Sequence, residues 1–290
     1  MLSNDQLAAY HGYSERSIRY HFHRARCLLS TWLTPRYLGF GHLTTVNPMV
    51  QHRNPYQSLI EILFKAGRRV GYFVDGQLQA QHGSVVFKHS YDSYSMQKGY
   101  NARLFQGVCL GDGYLVDFLG GYCSSGSHND AKVWHAIVDQ DVNNLRLHHP
   151  CERYVYVFDR GYAEYLDTGF PGLFVMPSVS KKKPTPCLDA NISRLVTRIR
   201  FVIEKVFGHV VNENALFQRR IIAQHKPYID TWMRSSLAIH NLLRPWHFEP
   251  RACQGRRRQH RPAASAAHHR MGKIQHAPFF CVQSSERGGP

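Results

Sequence analysis

The stretch YVYVFDRGYAEYL, residues 154–166, carries five apolar or aromatic residues straight into Asp159, followed at once by Arg160-Gly161-Tyr162. A short apolar run closed by a turn reads as a buried strand, here over 154–158. In open α/β sheets, ligands sit at the carboxyl ends of the strands, so an acid at that end is well placed for chemistry. The run VGYFVD, 70–75, ends on Asp75 in the same way.

Outward from these two acids, VGYFVDGQLQ (70–79), GSVVFKH (83–89), LFQGVCLG (104–111) and GYLVDFLGG (113–121) read as strands divided by glycine turns. SSGSHNDAKVWHAIVDQDV (124–142) reads as a helix with Ser127 as N-cap and Asp130 three residues on. Asp130 reads first as a capping residue and second as a neighbour of the site. LFVMP (173–177) is a further strand, SKKKPTP (180–186) a basic loop, and 190–211 and 228–243 are helices. Strands first, then helices interleaved, predict an α/β domain over 70–245.

Residues 1–30 predict two helices broken at Gly12. Ser14 caps the second, which carries Ile18, Tyr20 and Phe22 as its apolar residues. Helix, glycine turn and helix is the helix-turn-helix arrangement, and Arg16, Arg19 and Arg24 would meet DNA; an ordinary helical hairpin fits the pattern too. Residues 31–69 read as a connector with a helix at 56–67, and 246–290 as a basic tail low in apolar residues.

The chain has 290 residues, 43% of them hydrophobic, which is enough for a sizeable core. Formal net charge is +16; residues 251–290 hold eight Lys/Arg and one Glu, leaving +9 in residues 1–250. A polyanion, nucleic acid above all, is the expected partner. No apolar run reaches membrane-spanning length, and the N-terminal residues lack a secretory layout. The seven cysteines are an odd set without a CxxC pair, which argues against a disulfide framework and a zinc ribbon.

A third acid lies on the helix ANISRLVTRIRFVIEKVFGHVV (190–211). Ile192, Leu195, Val196, Ile199, Ile203, Val206 and Val210 form one stripe, with Glu204 at its margin and Arg200 between Glu204 and the stripe. Three gathered carboxylates need a counter-charge, and a hard divalent cation with oxygen ligands supplies one. Two such ions can activate water or a 3′-hydroxyl at a phosphodiester. Taken singly, Asp75-Gly76 could be a turn, Asp159-Arg160 a local ion pair, and Glu204 an exposed partner of Arg200 or Lys205.

Six segments in order resemble the DDE-type transposases of the PIF/Harbinger group and related transposase-derived nucleases: FVDGQ, YSMQKGYNARLFQGVCLGDGYLVDF, GGYCSSGSHNDAKVW, VFDRGYAEYL, NISRLVTRIRFVIEKVFGHV and SSLAIHNLL. The fifth matches the family's Arg-x-x-(Ile/Val)-Glu-x-x-Phe-Gly pattern at Arg200, Ile203, Glu204, Phe207 and Gly208. The resemblance implies a ribonuclease H-like mixed sheet flanked by helices, with a small helix-turn-helix-like module in front. It makes Asp75, Asp159 and Glu204 the catalytic, metal-binding triad, served by two Mg²⁺ or Mn²⁺ ions.

The function it implies is divalent-metal-dependent endonuclease cleavage and strand transfer on double-stranded DNA at transposon ends or derived sites, in the nucleus. An accessory DNA-binding protein and a homo-oligomer are partners it admits. Lys181, Lys182, Lys183, Arg194, Arg198 and Arg200 are candidate phosphate contacts. Gln77, Met96, the spread His128-Asn129-Asp130 and His209 depart from the family pattern. These departures support the alternative of a domesticated or decayed transposase that binds DNA without cutting it.

Overall fold

Alternation of large apolar side chains along the strands at 70–74 and 154–158 sends them to opposite faces, so this sheet is covered on both sides. The computed structural model describes residues 4–43, 70–96, 98–124, 128–148, 154–166, 173–178, 186–222 and 228–243, all within one compact unit, Met1–Phe248. The fold is α/β, a mixed sheet flanked by helices. Its strands are β1 (Val70–Ala80), β2 (Tyr94–Ser95), β3 (Tyr100–Cys109), β4 (Leu115–Cys123), β5 (Tyr154–Val157) and β6 (Leu173–Val175). β4, β3 and β1 are antiparallel neighbours, whereas β5 and β6 continue from β1 in parallel. The two-residue β2 extends β3 at its start.

On one face, Tyr72, Val74, Val108, Tyr156 and Phe158 pack against Ala131, Trp134 and Ile137 of a helix over Asp130–His148. On the other, Phe73, Phe105, Leu115 and Val157 meet two helices. The longer, Cys187–Glu213, buries Val196, Ile199, Ile203, Val206 and Val210 as the stripe predicts, with Ile192 and Leu195 half-covered. The helix Ile229–Leu243 follows it. Its Arg234 donates to Asp117 Oδ1 at 2.6 Å and Phe118 O at 2.8 Å, tying it to β4.

The N-terminal helices span Asn4–His11 and Glu15–Leu28, and Ser14 caps the second by accepting from Ser17 N at 3.1 Å. The second helix buries no side chain: Ile18 is half-buried, while Tyr20 and Phe22 are 59% and 58% exposed. The expected apolar face does not form: Tyr20 points nearly opposite to Ile18, and Phe22, one turn beyond Ile18 on its face, stays exposed as well. Arg16, Arg19 and Arg24 are exposed, with Arg19 paired to Glu15.

Part of the expected connector is core. Leu38, Phe40 and Leu43 are buried, and Asn241 Nδ2 donates to Tyr37 O at 2.6 Å. The expected strand at 83–89 is replaced by a helix over Phe87–Ser93. Val85, Val86 and Phe87 favour a strand by composition, yet Asn101 of β3 donates to Ser90 O and to Ser93 Oγ, bonds that only a turn of helix presents together. The expected helix at 56–67, the cap Ser127, the lysines Lys181, Lys182 and Lys183 and the tail at 246–290 lie outside the described residues. Among the described residues, no helix is long and apolar enough to cross a membrane.

Candidate active site

Register brings the two aspartates together. β1 and β5 pair in parallel with Phe73 opposite Val157, so Asp75 and Asp159 each lie two residues beyond that last pair, on neighbouring segments of the sheet. β1 does not stop at Asp75; it runs on to Ala80 along β3, while β5 ends, and the gap at its end opens beside Asp75. Each aspartate turns one oxygen to the next backbone N–H: Gly76 N donates to Asp75 Oδ1 at 3.0 Å and Arg160 N to Asp159 Oδ1 at 2.7 Å. The other oxygen of each faces the helix Cys187–Glu213.

What stands between them is Arg200. Its Nη1 lies 3.0 Å from Asp75 Oδ2, and its Nη2 lies 2.6 Å from Glu204 Oε1 and 4.0 Å from Asp159 Oδ2. The three acids thus converge on the guanidinium of Arg200, whose side chain is only 10% exposed. This corrects the expectation of Arg200 as an outward phosphate contact, because its planar fork is engaged inside the notch. The counter-charge that three carboxylates require is already supplied by the chain. Arg198 and Arg194, two and six residues earlier on the same helix, are exposed.

A fourth acid joins the group. Asp130 Oδ1 accepts from Gln106 Nε2 at 3.1 Å, and Gln106 Oε1 accepts from the Tyr162 hydroxyl. Gln106 is fully buried and sits opposite Gly76 in the β1–β3 register. A Cβ at residue 76 would collide with the Asp130 carboxylate, so glycine there is what lets Asp130 approach. The helix cap falls to Asn129 instead, whose Oδ1 accepts from Lys132 N at 2.9 Å. Asp130 is therefore a neighbour of the site. Gln106 and Tyr162 fall within the segments that carry the resemblance, but the sequence alone assigned neither a role in the site. A glutamine interrupting an apolar strand was the available signal.

Burial pushes the Asp75 carboxyl up to about 6, with the Arg200 charge and the Gly76 N–H pulling it back and Asp130 adding to the rise. Burial likewise raises Asp130, opposed by the Gln106 hydrogen bond and aided by Asp159. For Tyr162, burial leads and Asp130, Asp75 and Asp159 add, holding the phenol protonated. Burial alone would lower Arg200, but Asp75, Asp159 and Glu204 together hold it above its ordinary value.

A carboxyl raised on folding favours the protonated state. Its contribution to stability is fully present below the unfolded value near 3.8 and is lost as pH rises through about 6. With chelator present, ionising Asp75 is expected to cost on the order of 2–3 kcal/mol between pH 4 and 7, and Asp75→Asn to flatten that part of the profile. Urea unfolding at pH 4.5, 6 and 7.5 checks this; parallel profiles would count against it.

Among the described residues, no group of three or more His, Cys, Asp or Glu side chains has the geometry to hold a metal ion. The donor chemistry nevertheless fits one: the convergent groups present only oxygen, as Mg²⁺ prefers, and the guanidinium marks where positive charge is held. Compared with protein-family models, curated proteins and solved structures, the chain matches none.

Proposed function

We propose that this protein is a DNA endonuclease of the DDE transposase type, with Asp75, Asp159 and Glu204 as its acidic triad. The observation that carries the reading is the convergence of these three side chains, from the middle of β1, the end of β5 and one helix, on a single buried cation, Arg200. The strand order β4-β3-β1-β5-β6, three antiparallel strands followed by two parallel ones, supports a ribonuclease H-like sheet. The exposed basic side of the second N-terminal helix supports a DNA-binding module in front of it.

The triad would hold Mg²⁺ or Mn²⁺ through Asp75, Asp159 and Glu204, once Arg200 withdraws from the acids. A bound ion supplies Lewis-acid activation of water or a 3′-hydroxyl and relief of charge at the phosphodiester. The chain's own part is positional. Gly76 N and Arg160 N fix the rotation of the two aspartates, and Tyr162 and Gln106 fix Asp130 beside them. The basic surface attracts the polyanion.

The test is nicking of supercoiled plasmid with Mg²⁺. Wild type is expected to nick, and Asp159→Ala to fall to the level of the protein-free control while still binding DNA. Equal nicking by both proteins would remove the proposal. A second reading, DNA binding without cleavage, is favoured by one observation: Arg200 takes the space between the acids. It predicts no nicking by either protein and unaltered binding by both.

A further inference from the structure

Beside the acidic notch lies a cleft of about 410 Å³ between the carboxyl ends of β5 and β6 and the first half of the helix Cys187–Glu213. Three arginines line it: Arg160, directly after Asp159, and Arg194 and Arg198 one turn apart on the helix. Three hydroxyls, of Ser178, Ser193 and Thr197, and the small Ala190 complete the lining. Ser178 and Ser193 are hydrogen-bonded to each other at 2.7 Å, and Ser178 N donates to Ser193 Oγ at 3.0 Å, which holds the chain after β6 against the helix. Thr197 Oγ1 donates to Ser193 O at 2.9 Å.

Among the described residues, none of the three guanidinium groups is in an ion pair. Among the described residues that line the cleft there is no acid either. Like charges gathered without a counter-ion are unfavourable, and an anion that several of them can grip relieves the repulsion. Among the described residues the lining offers no aromatic ring and only the methyl groups of Ala190 and Thr197, so these residues give a nucleobase nothing to stack on. What the cleft can recognise is phosphate, with no information about base identity. Its volume is within the range of about 300–1,000 Å³ typical of ligand clefts, ample for a sugar-phosphate segment.

We infer that this cleft binds the sugar-phosphate backbone of duplex DNA. Arg160, Arg194 and Arg198 grip phosphates of a strand whose next segment passes Asp159. This rests on the nuclease reading for the identity of the polymer but adds a defined subsite to it. It brings in Arg160, which follows the second aspartate so closely that a strand seated here is delivered to the notch. The cleft thus separates two tasks along one helix: Arg194 and Arg198 face outward to hold the polyanion, and Arg200 faces inward to hold the acids.

The test uses the full chain, a 20-base-pair duplex and excess chelator, so that binding is read without cleavage. Replacing Arg160, Arg194 and Arg198 by glutamine together is expected to weaken binding at least ~10-fold and to flatten the dependence of log K on log salt by about 0.9 per lost phosphate contact. The three side chains are exposed, and circular dichroism verifies that the variant is folded. In the wild type, duplex should shield these arginines from phenylglyoxal, as mapped by mass spectrometry.

An unaltered salt slope together with unshielded arginines would overturn the assignment, even if the wild type nicks plasmid and the nuclease reading stands. Shielding by inorganic pyrophosphate but not by duplex would overturn it as well, leaving a site for small phosphates. Conversely, duplex shielding in a protein that never nicks supports the cleft while removing the nuclease.

Discussion

Replacing Arg200 by methionine is expected to destabilise the metal-free protein by on the order of 3 kcal/mol at pH 8, as unfolding in urea with chelator would measure. The guanidinium is the shared partner of Asp75, Asp159 and Glu204, and the first of these is half-buried. Methionine fills much of the same volume, so the loss is of charge rather than of packing. The three acids then repel one another with nothing between them. The penalty should shrink as pH falls, because protonating the carboxyls removes the repulsion, and it should shrink on adding Mg²⁺ at pH 8. Arg200→Lys should lie between the two, since a point charge cannot reach three acids at once as the planar fork does. If Arg200→Met is as stable as wild type at pH 8 and unresponsive to Mg²⁺, the notch is not an electrostatic unit. The proposed cation site then loses its basis.

Much of this arrangement was legible in the sequence where it depends on local order. The apolar run ending on Asp159 put that acid at a strand end, the run ending on Asp75 marked where β1 leaves β5 although the strand continues to Ala80, and helical spacing put Glu204 at the margin of a buried stripe. The residues that escaped depend on contacts far apart in the chain. The Tyr162–Gln106–Asp130 chain links three elements, and nothing in the neighbourhood of Gln106 says which helix start will meet it. Arg200 was visible beside Glu204, but its inward turn is decided by Asp75, 125 residues away. The error at 83–89 has the same origin. Val85, Val86 and Phe87 carry strand propensity, yet Asn101 of β3 holds the following helical turn in place.

Gly107→Ala is the second substitution expected to have a large effect, about 1–3 kcal/mol of destabilisation from overpacking. Gly107 lies opposite Asp75 in the β1–β3 register. An alanine Cβ there would stand 2.5 Å from Cζ and 2.6 Å from Cε1 of Phe207, so the ring cannot stay where it is. Phe207 is buried, belongs to the core on that face of the sheet, and is three residues beyond Glu204 on the same helix. Its seat on Gly107 sets how closely the helix approaches the sheet at the level of Asp75. Lifting the ring should therefore also pull Glu204 and Arg200 away from Asp75. Phe207→Leu removes the atoms that clash, so the double variant should be more stable than the sum of the two single losses predicts, by roughly 1–2 kcal/mol. Additive losses would mean that the helix finds its height on the sheet elsewhere. In that event the glycine opposite Asp75 would have no part in assembling the acids.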